Sequence, residues 1–210
     1  LEARGYIEQN KATENYRLGV RCLRLGQRFL LQTDLLRQAR PVMEGLATEV
    51  GETVFVSILN QNAAVVLDAV EPDRPVRLVA RVGDAMPLHA TAAGKALLAF
   101  SEIETTWLEA VPELARFTAA TTTDSTRLRQ QLGAAQQSGF TTDSGEFAAD
   151  VSSLAVPIRD YTRSVVAALS IAGPTPRLGD LSAQNELVSA LIRAGQAISS
   201  RLGFHADTTA

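Results

Sequence analysis

The sequence predicts an α+β fold, an antiparallel sheet with helices on its faces. Three observations carry that expectation. Six runs of seven to nine residues, TVFVSIL, AAVVLDAV, PVRLVAR, FTTDSGEF, SSLAVPI and SVVAALSIA, are mostly rich in Val, Ile and Leu and are separated by turn residues. Other segments repeat their apolar residues at helical spacing. The strand runs follow one another as hairpins instead of alternating regularly with helices, which argues against a parallel βαβ sheet. With 210 residues and 46% hydrophobic content, the chain can bury the core of one sizeable domain plus a short attachment.

Taken in order, Gly5–Gly19 reads as two extended pieces, GYIEQ and NYRLG, joined by a polar turn containing Asn10, Lys11 and Thr13. From Arg17 to about Gln32 the pattern is helical: Leu18, Cys22, Leu25 and Phe29 form one stripe, and Arg17, Arg21, Arg24 and Arg28 a neighbouring one. The arginine stripe reads either as a solvated face or as a set of phosphate contacts. Thr33 or Asp34 can cap a helix running to about Val50, with Pro41 kinking or restarting it. The three strand runs from Thr53 to Arg81 follow, the first two pairing as a hairpin around Asn60 and Asn62. A helix is expected over Thr91–Phe100, a short one over Glu102–Val111, and a third over Asp124–Ser138, capped by Asp124 or Ser125 and stopped by Gly139. After three more strands, Leu181–Leu202 closes the chain as a long helix with Leu187, Leu191, Ile198 and Leu202 on one side.

The junction MPLHATAAGKALLAF, Met86–Phe100, is the most informative stretch. Pro87 disfavours helix at Met86, Thr91 can cap, and the small residues Ala92, Ala93 and Gly94 leave the free N–H groups of a helix N-terminus open to an anion. The same pattern also suits a capped core helix with no ligand. No nucleotide cofactor is expected, because neither GxxxxGK[ST] nor GxGxxG is present. Two histidines, His89 and His205, and one cysteine, Cys22, cannot build a clustered metal site or an internal disulfide, and a reducing compartment is expected. A Ser153, His89 and Asp143 triad is possible by residue type but lacks a GxSxG elbow, so no enzyme is expected; His89 is read as a packed or hydrogen-bonding residue at a pocket rim. A net charge of -3 gives no global attraction for nucleic acid or membrane. The absence of a signal peptide or long apolar run predicts a cytoplasmic protein without a membrane partner.

LHATAAGKALLAF resembles the signature of the IclR family of bacterial transcriptional regulators. YRLGVRCLRLG resembles that family's link between winged and effector domains, and GFTTDSGEFAADVSSLAVPIRD and VVAALSIAGPTPR resemble its pocket-completing segments. The resemblance implies a GAF-like effector-binding domain over residues 33–203, preceded by the remnant wing of a winged helix-turn-helix domain (1–19) and a linker helix (20–32), with a tail at 204–210. The groove-reading helices would lie before Leu1, so operator DNA would be a partner of the full-length protein, acting as a homodimer or homotetramer. Carried over by position, the effector site is Leu78, Ala92, Ala93, Asp143, Val151, Ser153, Ser170 and Ala172. Ser153 stands where many members have cysteine, and Ala172 where a second serine is frequent. A helix N-terminus facing Asp143 suits a small organic acid that presents a hydroxyl, hydrated carbonyl or phenol, and Ala172 favours a less polar or larger acid, an aromatic one for example, over a very small polyhydroxylated one. The alternative reading is a stand-alone small-molecule binding protein or hydrolase using the same pocket.

Overall fold

The computed structural model describes residues 1–10, 13–25, 34–111, 113–179, 181 and 184–205. Lys11 of the polar turn, Arg28, Phe29, Gln32, the Thr33 cap and residues 206–210 of the tail lie outside these. The chain divides into two compact units, Leu1–Arg37 and Gln38–Ala210.

In the first unit a short 3-10 turn, Glu2–Arg4, precedes an antiparallel hairpin of β1 (Ile7–Gln9) and β2 (Tyr16–Leu18). The helix expected from Arg17 begins instead at residue 20, and α1 is described through residue 25. Arg17 and Leu18 belong to the ladder, opposite Glu8 and Ile7, and Arg17 reinforces it with a 2.7 Å ion pair to Glu8. The Cys22 thiol donates to the Tyr6 carbonyl at 3.0 Å.

The second unit is built on one six-stranded sheet in the order β5-β4-β3-β8-β7-β6, with every neighbouring pair antiparallel. Its strands are β3 (Thr53–Asn60), β4 (Ala63–Val70), β5 (Ala85–Pro87), β6 (Thr141–Ser144), β7 (Val151–Arg159) and β8 (Val165–Pro174). The helices are α2 (Asp34–Val50, straddling the division), α3 (Ala92–Ala99), α4 (Glu104–Ala110), α5 (Ser125–Ser138), α6 (Thr175–Leu178) and α7 (Asn185–Arg201). α2 runs without a break across Pro41, so the expected restart does not occur.

Side-chain alternation along the strands divides the core between the two faces. On one face Phe55, Ala155, Ala168 and Ala172 pack with α3, α4 and α5 around Leu88, Leu98, Trp107, Leu128 and Leu132. On the other, α7 lies close to β7: Gly195 sits over Val156 where a Cβ would come within 2.6 Å, and the Ser199 hydroxyl accepts from the Arg159 N–H. Small residues on β7 and β8 let the helices approach closely. This is the GAF-like arrangement of an antiparallel sheet between helices.

Two expected features differ. PVRLVAR forms no strand; residues 75–81 cross the sheet end as irregular chain, and the third strand of this region is Ala85–Pro87 on β4. Pro72 and Pro75 remove two ladder donors, and Val76 and Val79 face solvent, so the run's β propensity has no partner to act on. FTTDSGEF contributes only four residues, because Gly145 with φ 73° turns the chain away after Ser144.

Candidate functional site

Thr91 starts α3 as the sequence expects. Its side chain accepts the Gly94 N–H at 3.1 Å and donates to the Pro87 carbonyl at 2.8 Å, fixing loop and helix together. Gly94 is required by packing: a Cβ there would collide with the Leu88 Cα and lie 2.6 Å from its carbonyl oxygen. The loop thus runs directly against the first helical turn, where Ala92 and Ala93 carry N–H groups that the helix itself cannot pair.

The sheet register brings distant segments to this turn. Asp143 on β6 pairs with Ser153 on β7, Ser153 with Ala172 on β8, and Ala172 with Thr53 on β3, giving one row across four strands. The Thr53 hydroxyl then holds the Leu78 carbonyl at 2.6 Å, drawing the irregular 72–82 segment over the end of the row. Between row, helix and segment lies a cavity of about 280 Å³. Six of the eight residues expected from the sequence line it: Leu78, Ala93, Asp143, Val151, Ser153 and Ala172. Phe55, Val66, Met86 and Phe147 add apolar wall, and Thr91 and Asp84 add polar groups.

Ala92 and Ser170 are not brought to the cavity. Ala92 is fully buried and its carbonyl accepts from Thr141 Oγ1 at 2.7 Å. Ser170 sits one row deeper, opposite Ala155 and Phe55, with its hydroxyl buried and without a partner among the described residues. His89 is not at the rim either: its Nε2 is 2.9 Å from the Ala115 carbonyl oxygen, and its ring packs near Trp107 and Phe117. The Ser153, His89 and Asp143 triad is therefore not assembled.

Asp143 sets the electrostatics. It is 3% exposed; Oδ1 accepts the Glu146 N–H at 2.7 Å, and Oδ2 lies 3.5 Å from the Ser153 hydroxyl. Burial is the largest influence and raises its pKa from 3.8 to about 6; the Glu146 N–H and the Lys95 charge oppose it, and the Glu146 charge adds to it. Lys95 acts from the middle of α3, a helix with every residue buried, through a 2.6 Å ion pair to Glu146. The Glu146 carbonyl accepts from Thr121 Oγ1 at 2.6 Å, so the loop carrying Phe147 over the cavity is tied down from both sides.

Sequence reasoning missed Phe147 and the pairing of Lys95 with Glu146. A lysine inside an otherwise apolar helix was the available signal for the pair. Nothing local marks Phe147, which is placed by the Gly145 turn and by edge contact with Phe117 at 5.2 Å between ring centroids. Among the described residues, no group of three His, Cys, Asp or Glu could hold a metal ion. Among them, too, no helix is long and apolar enough to cross a membrane.

The profile for "Bacterial transcriptional regulator IclR C-terminal" matches residues 27–200. The chain is 35% identical over 209 residues to the HTH-type transcriptional repressor AllR of Escherichia coli K12, covering 98% of this chain and 76% of that protein. It is 36% identical over 191 residues to AllR of Salmonella typhimurium, covering 90% of this chain and 70% of that protein. Among solved structures, Thermotoga maritima IclR superposes with a TM-score of 0.82 at 27% identity, over 97% of this chain and 82% of that one. An IclR homologue from Microbacterium hydrocarbonoxydans, solved in complex with 4-hydroxybenzoate, gives 0.79 at 30% identity, over 96% and 81%.

Proposed function

The chain belongs to the IclR family of bacterial transcriptional regulators, and on that premise we propose that the cavity between α3 and the Asp143 row binds a small hydroxylated organic acid, aromatic acids included, to control transcription. Regulators of this family bind DNA and small-molecule effectors. In this reading residues 33–203 sense the effector, residues 1–19 are the wing of the DNA-binding domain, and residues 20–32 link the two.

The observation that carries the proposal is a buried, weakly acidic carboxyl facing a helix N-terminus across an apolar cavity. The ligand's carboxylate meets the first-turn N–H groups, where the helix dipole and charge-assisted hydrogen bonds favour it. Asp143 then demands a hydrogen-bond donor from the far end of the ligand, or keeps its own proton and donates. Apolar Phe55, Val66, Phe147 and Ala172 favour a hydrocarbon or ring between the two ends. The 4-hydroxybenzoate bound by the Microbacterium homologue has that plan, a carboxylate and a hydroxyl separated by a ring.

Effector control follows if binding favours one of two subunit arrangements, because a ligand shifts an equilibrium only by its differential affinity for the two states. The arrangement sets the spacing of paired winged domains on an operator, in a homodimer or homotetramer. The test is thermal unfolding against a panel of hydroxy, keto and aromatic acids, repeated with Asp143→Ala. An effector at 100 times its Kd adds about 2.7 kcal/mol of stability to the wild type. A panel without any stabilising acid would overturn the proposal.

A further inference from the structure

Two features of the same unit lie outside the effector cavity: the open edge of β6 and the far side of the Lys95–Glu146 pair. They meet at a second cavity of about 340 Å³, lined in part by Lys95, Gln131, Thr142, Ser144, Glu146 and Leu181. We propose that this cavity is a second small-molecule site, for a neutral compound carrying a primary carboxamide or urea group.

The backbone supplies one side. β6 is the last strand of the sheet, so among the described residues its outer edge has no partner strand. The Gly145 N–H donates to the Val151 carbonyl at 3.0 Å. Alternation along an antiparallel ladder then makes Asp143 and Thr141 the residues bonded to β7, and leaves Thr142 and Ser144 with N–H and C=O on the free edge. Both of these residues line the cavity.

Side chains supply the other. Gln131 of α5 donates to Thr122 Oγ1 at 3.2 Å, while its Oε1 is buried without a partner among the described residues. Glu146, only 7% exposed, takes Lys95 on Oε1 and leaves Oε2 buried, again without a partner among the described residues. Buried acceptors of this kind call for a donor. The Lys95–Glu146 pair is neutral as a unit, so a cation would meet the ammonium and an anion the carboxylate; a neutral donor meets neither penalty. An amide NH₂ supplies donors for acceptors of this kind, and its carbonyl an acceptor for an edge N–H of Thr142 or Ser144. Leu132, Ala135, Phe140 and Leu181 leave apolar surface for a short hydrocarbon. With only two outward residues, the edge is too short to hold an added strand.

The two cavities share a wall. Glu146 faces this one, and its N–H holds Asp143 in the other. Occupancy here therefore bears on the effector site through one residue.

The test is a titration of the ¹⁵N-labelled chain with acetamide and methylurea to high millimolar concentration. The expected result is saturable shifts of the Thr142 and Ser144 N–H signals and the Gln131 side-chain amide. Gln131→Leu should weaken the probes about two- to tenfold. Thr142→Pro, which removes one edge N–H that the pairing with β7 does not use, should do the same and serves if the first variant does not fold. Absence of saturable shifts, or full affinity retained in Gln131→Leu, would overturn the proposal. Edge signals that shift with protein concentration alone would overturn it in favour of side-chain contact with a second copy of the chain over this cavity.

Discussion

Replacing Asp143 by Asn should stabilise the effector-binding unit at neutral pH. The carboxyl is 3% exposed, and burial lifts its pKa from 3.8 to about 6 against the opposing Glu146 N–H and Lys95 charge. Between those two values the folded chain holds a proton that the unfolded chain has released. Stability contributed by this group therefore falls as pH rises from about 4 through 6, and the loss is complete above that window. The difference corresponds to at most about 3 kcal/mol. Asparagine keeps an oxygen for the Glu146 N–H and a donor for Ser153, and has no charge to desolvate. Urea unfolding of both proteins from pH 4 to 8 should show Asp143→Asn more stable by about 1–3 kcal/mol at pH 7.5, with the curves converging toward pH 4. Equal stabilities at pH 7.5, or a less stable variant, would refute the reasoning that burial outweighs the groups supporting the charge.

Other consequences follow from the same geometry. Lys95→Met leaves the Glu146 carboxylate buried and unpaired and should cost about 3–5 kcal/mol in urea unfolding, most of it recovered in the Lys95→Met, Glu146→Gln double variant. Gly94→Ala drives a methyl into the Leu88 backbone and should cost about 3 kcal/mol, read as a lowered Tm. Thr91→Ala removes the α3 cap and its bond to the Pro87 carbonyl, and should cost about 1–2 kcal/mol by urea unfolding.

Local chemistry was legible where the chain signals to itself. Thr91 caps α3, Asp124 caps α5 by accepting the Arg127 N–H at 2.7 Å, and Gly139 ends α5 in the left-handed region at φ 85°. The β3–β4 hairpin forms about the expected turn. Misreadings arose where two local patterns competed or a partner decided the outcome. Arg17 and Leu18 fit both the extended NYRLG run and the helical stripe, and the ladder with β1 takes them. The valines of PVRLVAR have strand propensity, but prolines deny them a ladder; the run stays irregular, with Val76 exposed and Val79, half-exposed, at the cavity wall. β5 could not be read from three residues, Ala85–Pro87, whose strand character comes wholly from pairing with β4.

At the site, Asp143, Ser153 and Ala172 came from segment resemblance, and the structure adds why they meet: they form one register row. Ser170 belongs to the same face of β8 but one row down, where Phe55 fills the space toward the cavity. That two-residue difference in depth depends on the size of a side chain on another strand. Lys95 and Glu146, 51 residues apart, have no local pattern linking them.

The most direct test of the account is titration calorimetry with matched acids, 4-hydroxybenzoate against benzoate and 6-hydroxyhexanoate against hexanoate, on the wild type and Asp143→Ala. The account predicts that the hydroxylated member of at least one pair binds the wild type more tightly by about tenfold or more, and that the variant loses this preference while binding the non-hydroxylated acid at least as well. Equal losses for both members of the pair, or unchanged preference in the variant, would contradict an Asp143 that reads the far end of the effector.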